Sequence, residues 1–146
     1  MAEVTTLVAQ AIEDRIRDNI AVFPGIDIDQ VAWQGMDYRP SEDDWMRPVT
    51  LFQDTQWLTH GASGTGVNLV SGIFTCTFFT VPGFGMSALD GYASALRELF
   101  DRVAIAIAGH GPLEFEPVSG PRPGPFDGAW LSYIVDCPFQ IEEYGS

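Results

Sequence analysis

S-G-I-F-T-C-T-F-F-T-V, residues 71 to 81, runs into P-G-F-G-M, residues 82 to 86, and then into S-A-L-D-G-Y-A-S-A-L-R-E-L-F-D-R-V, residues 87 to 103. The first segment is rich in β-branched, aromatic and threonine side chains, which suit a pleated, half-buried surface. Proline and glycines then interrupt it. In the third segment the period changes. Leu89, Tyr92, Ala93, Leu96, Leu99, Phe100 and Val103 recur at helical spacing and form one apolar stripe. Ser87, with Asp90 three residues on, is placed to cap that helix. Ser71–Val103 therefore predicts a strand, a tight turn and an amphipathic helix. Phe74, Cys76 and Phe78 are expected to face Leu89, Leu96 and Phe100. Ile73, Thr75, Thr77 and Phe79 then fall on the opposite sheet face, which is too apolar for solvent alone. A neighbouring subunit or a second layer is expected to cover it.

Upstream, Val4, Leu7, Val8, Ala11, Ile12 and Ile16 predict an amphipathic helix over about residues 3 to 19, ended by Pro24-Gly25. Val31–Gln34 reads as a short first strand. Residues 35–48 are polar, proline-flanked and acidic at Glu42, Asp43 and Asp44, and read as a loop. Val49–Thr55 alternates as a strand. Residues 56–69 hold Gly61, Gly64 and Gly66 and read as a hairpin with a mobile tip.

Downstream, Ala104–Gly109 either continues the helix or starts a strand, and the helix end is favoured because Gly109 makes a good terminator. Leu113–Val118 alternates, and Pro117 assigns it to an edge or a strand end. Residues 119–128 carry too many prolines and glycines for regular structure. Ala129–Ile141 is a clear strand, with Leu131, Tyr133, Val135, Cys137, Phe139 and Ile141 on its apolar side. The last five residues are expected to fray. These elements make an α+β fold: an antiparallel or mixed β-sheet with two amphipathic helices packed on one face. At 146 residues the chain is expected to be one domain, residues 1–146, with loops at about 35–48, 56–69 and 119–128.

Seven basic residues against twenty acidic give a net charge of −13. Such a surface repels phosphate and disfavours tight binding to nucleic acid, while DNA sliding through a channel is compatible with it and solubility alone accounts for it equally well. Cys76 and Cys137 lie inside strand-like runs and are expected as buried free thiols. No apolar run reaches membrane-spanning length, and the N-terminal residues do not read as a signal peptide, so a soluble, intracellularly made protein is expected.

The search for chemistry finds no constellation. Gly61–Gly66 has neither the lysine of a phosphate loop nor the glycine spacing of a dinucleotide site. His60 and His110 have no metal-ligand spacing, and Ser63 has no nucleophile elbow. Glu42, Asp43 and Asp44 do not match a calcium loop. Glu114 and Glu116 share one strand face without a visible cleft. No catalytic residue, metal or cofactor is assigned. Trp45, Trp57, His60, Phe84, Phe126 and Trp130 remain as candidate contact residues on loops or on the less apolar strand face.

Taken in order, the first helix, the acidic segment, V-P-G-F-G-M at 81–86, A-L-R-E-L-F at 95–100, the Pro/Gly loop and G-A-W-L-S-Y-I-V at 128–135 resemble the tail terminator (tail completion) proteins of long-tailed bacteriophages and related tail-like particles. The resemblance spans most of the chain and is weakest over residues 21–50. It implies a non-enzymatic virion protein, made in the host bacterial cytoplasm, whose copies form a homo-hexameric ring. The ring caps the tail tube, ends its polymerisation and offers a face for head joining. Its partners would be itself, the tail tube protein and the connector or neck proteins, with DNA passing only transiently and no membrane involved. On this reading the 56–69 hairpin meets the tube, and Glu42, Asp43 and Asp44 line part of the channel. A different neck subunit, or a small ligand-binding or hydrolytic domain using His60, His110 and the acidic loop, are the alternatives.

Overall fold

The computed structural model describes residues 3–57, 66–83, 86–125 and 129–144, the side chains of 54–57 excepted. The predicted α+β architecture is present: a six-stranded antiparallel sheet with two helices on one face. Helix α1 covers Val4–Asp18, and its buried residues Val4, Val8, Ile12 and Ile16 trace the expected stripe. Single 3-10 turns follow at Ile20–Val22 and Ile28–Gln30, the second closed by a capping box between Asp27 and Gln30. Strand β1 spans Trp45–Trp57 and pairs with β2, Val67–Thr80, as a hairpin. Its tip, including His60, Gly61 and Gly64, lies outside the described residues.

Helix α2, Ser87–Phe100, follows the turn after β2. The expected cap is displaced. Met86 is the N-cap, no side chain caps the helix, and Ser87 is already helical. β3 is Ala104–Ile105, β4 Leu113–Phe115, β5 Ser119–Pro123 and β6 Leu131–Tyr144. The strands run β1-β2-β6-β4-β3, with β5 also paired to β6. Because β2 occupies one edge of β6, β4 and β5 share the other.

Other sequence expectations change too. Val31–Gln34 is no strand; only Val31 makes a single parallel bridge to Met46. Ala104 and Ile105 leave the helix, which ends at Phe100, and pair with Glu114 and Leu113. Residues 119–123 form a strand despite two prolines, because β5 is an outer strand with an irregularity between Ser119 and Arg122 and needs few ladder bonds. The C-terminal residues do not fray as far as Tyr144: Glu142, Glu143 and Tyr144 pair with Leu69, Asn68 and Val67.

The core lies between sheet and helices. Phe74, Cys76 and Phe78 of β2 are fully buried and face α2, as the alternation predicts. The Phe74 and Phe100 rings are 5.0 Å apart, and those of Phe78 and Tyr92 5.6 Å. From β6 come Val135, Cys137, Phe139 and Ile141. α1 is tied to α2 where Arg15 Nε donates to the Leu99 carbonyl at 2.6 Å.

Both cysteines are buried and free. Burial pushes the Cys137 thiol from 9.0 up to about 12, and pushes Cys76 well up too. In the native protein at pH 8 neither thiol is expected to react with a disulfide reagent, while the unfolded chain exposes both. The sign of the linkage follows. Above about pH 9 the unfolded chain releases thiol protons that the folded chain keeps, so stability falls with rising pH. For Cys137 the fall is about 1.4 kcal/mol per pH unit between pH 9 and its folded value. Urea midpoints at pH 8 and pH 10 measure it, and a Cys137→Ala variant flattens the slope.

Candidate interaction surface

The sheet has a second face, turned away from both helices. Register places Trp45, Arg47, Val49 and Leu51 of β1 beside Phe79, Thr77, Thr75 and Ile73 of β2. Those in turn lie beside Ser132, Ile134, Asp136 and Pro138 of β6. Val49, Ile73, Thr75, Thr77, Ile134 and Pro138 are only half-buried, and Leu51 is 56% exposed. An apolar tract across three strands is thus open to solvent in the isolated chain.

One end of this face is closed by its own aromatics. Trp45 stacks on Phe79 at 3.9 Å and on Tyr38 at 5.1 Å, and meets Trp130 edge-on at 6.0 Å. The Arg47 guanidinium lies 5.1 Å from the Trp45 ring. Trp45 is therefore only 4% exposed, against the expectation of a loop contact. The loop ends at Asp44, and Trp45 opens β1. Trp130 is half-buried beside it. Trp57 is paired through its backbone to Asn68, and its side chain, like His60, Phe84 and Phe126, lies outside the described residues.

The middle of the face is polar at one point. Arg122 Nε donates to Asp136 Oδ2 at 3.0 Å, and the Thr75 hydroxyl donates to Asp136 Oδ1 at 3.1 Å. Arg122 is largely exposed, so this pair orients more than it stabilises.

The acidic triplet divides. Glu42 and Asp43 are exposed. Asp44 is turned inward: its Oδ1 accepts from Thr80 at 2.8 Å and its Oδ2 from the Tyr92 hydroxyl at 2.5 Å. The same hydroxyl lies 2.8 Å from the Pro24 carbonyl, so one phenolic proton serves two acceptors. Burial, then the bond to Asp44 and its charge, raise the Tyr92 pKa. Asp44 thus fastens the acidic loop and the Pro24 turn to β2 and α2, and this corrects its assignment to a channel surface.

His110 and the acidic loop are not brought together. His110 Nδ1 accepts the Tyr144 N–H at 3.2 Å at the far end of β6. The acidic loop enters β1 beside Phe79, which pairs with Ser132 near the start of β6. Twelve residues of strand, about 40 Å, separate those two levels. Among the described residues no group of three His, Cys, Asp or Glu is placed to hold a metal. No described helix is long and apolar enough to cross a membrane.

No protein-family model matches the chain, and no curated protein matches it. A solved structure matches over 99% of this chain and 100% of its own, with a TM-score of 0.72 and 19% identity. That protein carries no functional name, and likeness at this identity extends to the fold: the whole chain shares its architecture with a known structure from end to end.

Proposed function

We propose that the chain is a structural subunit of a phage tail or tail-like particle, which closes into a hexameric ring and caps the tail tube. The open apolar face around Val49, Leu51, Ile73 and Ile134 supports this reading most directly. A ring built from one kind of subunit needs two different patches per copy, meeting head to tail until the circle closes. A face of three long strands offers one such patch, and a stable contact there buries at least about 1,000 Å² in total. The net charge of −13 suits a channel through which DNA passes without sticking. Capping follows from asymmetry: one face of the ring matches the last tube ring, and the other offers no surface to a further tube subunit.

Particle imaging tests it. Removing the gene should give tails of irregular length without heads, and supplying the protein in trans should restore finished particles. Leu51→Asp should fold with stability within about 0.5 kcal/mol, because its side chain is mostly in water, yet fail to restore them. Normal finished particles without the gene defeat the proposal. Density for the subunit elsewhere in the neck transfers it to a connector.

A further inference from the structure

β1 is an outside strand, so, apart from the single bridge of Met46 to Val31, the outward row of its backbone groups pairs with no strand among the described residues. The outward row is Met46, Pro48, Thr50 and Phe52. Met46 offers its carbonyl to the Ala32 N–H at 2.8 Å, and Pro48 has no N–H to offer. Thr50 is satisfied by a side chain alone. Its N–H donates to Gln34 Oε1 at 2.9 Å, and its carbonyl accepts from Gln34 Nε2 at 3.4 Å. One exposed carboxamide thus does what a neighbouring strand residue does. Beside it a shallow, largely open groove of about 520 Å³ lies between α1 and β1, lined by Thr5, Ala9 and Glu13 and by Gln34, Thr50 and Phe52.

We infer that this edge is a strand-addition site for an extended segment of a partner protein bearing a lysine or arginine, with Gln34 as its removable stand-in. Two observations meet at one place: backbone groups held by a displaceable side chain, and an unfilled groove beside them. Strand addition takes affinity from main-chain pairing and selectivity from every second side chain. Here the incoming backbone replaces the two Gln34 bonds at Thr50, a near-even exchange, and continues to Phe52. Its alternate side chain enters the groove, with the aliphatic stem on Phe52 and the charge at Glu13. A chain of net charge −13 selects a basic segment. Ala32 and Pro48 close the edge before Thr50, which fixes the register. The site is independent of whether the protein caps a tube.

The probe is a fluorescein-labelled, amide-capped peptide Ser-Val-Thr-Lys-Val-Ser, titrated by anisotropy against the full chain. Gln34→Ala should tighten binding about fivefold, because it removes the competing carboxamide. Glu13→Lys, or glutamate for the peptide lysine, should weaken it about tenfold. Thr50→Pro should abolish it, with folding checked by circular dichroism. If that variant does not fold, slowed amide exchange at Thr50 and Phe52 of the parent chain on adding peptide is the deciding readout. The inference is overturned if Gln34→Ala binds no tighter than the parent, if it shows no binding at about 1 mM peptide, or if the glutamate peptide binds equally well. Self-association of Gln34→Ala without peptide would assign the edge to a second copy and overturn it too.

Discussion

Replacing Gly72 with valine should cost about 4 kcal/mol or more and lower the melting temperature by roughly 10 °C. Gly72 sits in the middle of β2, with Phe52 opposite on β1 and Phe139 opposite on β6. The two rings meet edge to face at 5.7 Å across the space a side chain would fill. A Cβ there would press on the Leu51 carbonyl oxygen and stand 2.6 Å from Phe139 Cζ. The first neighbour is backbone in a paired strand and the second a buried ring, so neither yields cheaply. Phe139→Ala alone should cost about 3–5 kcal/mol. In the double variant the two costs should fall short of their sum, because removing the ring relieves part of the clash. Chemical denaturation of the three variants measures the coupling. A Gly72→Val protein melting within about 2 °C of the parent would show that the strands do not approach this closely there.

Gly72 also shows how far the sequence could be read. The alternation of Phe74, Cys76 and Phe78 assigned their face correctly, and so did that of Val135, Cys137 and Phe139, because a sheet buried on one side imposes period two. The helices were legible for the matching reason at period 3.6. β5 was hidden by its prolines and glycines, which an outer strand tolerates. The sequence places Trp45 in a loop because it stands among acidic residues and before Pro48. That proline is harmless on an outside strand, whose outward nitrogens need no partner in the sheet. Gln34 was beyond sequence reading altogether. Its role depends on the chain bringing residue 34 beside residue 50, and no local pattern records a side chain standing in for a strand. The second sheet face, by contrast, was visible as a run of apolar residues on the wrong parity, and the fold leaves it open.

Lysine at Asp44 should destabilise the protein by about 3–4 kcal/mol, whereas lysine at Asp43 should change stability by less than about 0.5 kcal/mol. The two are neighbours in sequence and alike in charge, but only Asp44 faces Thr80 and Tyr92. An ammonium there removes two acceptors and brings a charge against groups that donate. Asp43 bonds only locally, to Ser41, and is exposed. Asparagine at 44 separates charge from geometry. Its oxygen still accepts from Thr80, and its Nδ2 donates to the Tyr92 oxygen, whose own proton then goes wholly to the Pro24 carbonyl at 2.8 Å. Every group keeps a partner, so Asp44→Asn should cost only about 1 kcal/mol. Urea unfolding of the three variants checks the order. Equal losses for Asp43→Lys and Asp44→Lys would show a general charge effect and remove the network from the account. With the order as stated, a defect in particle assembly caused by Asp43→Lys reports on a surface, while one caused by Asp44→Lys reports on folding. Of the three acidic residues, only Glu42 and Asp43 can then test the channel of the proposed ring.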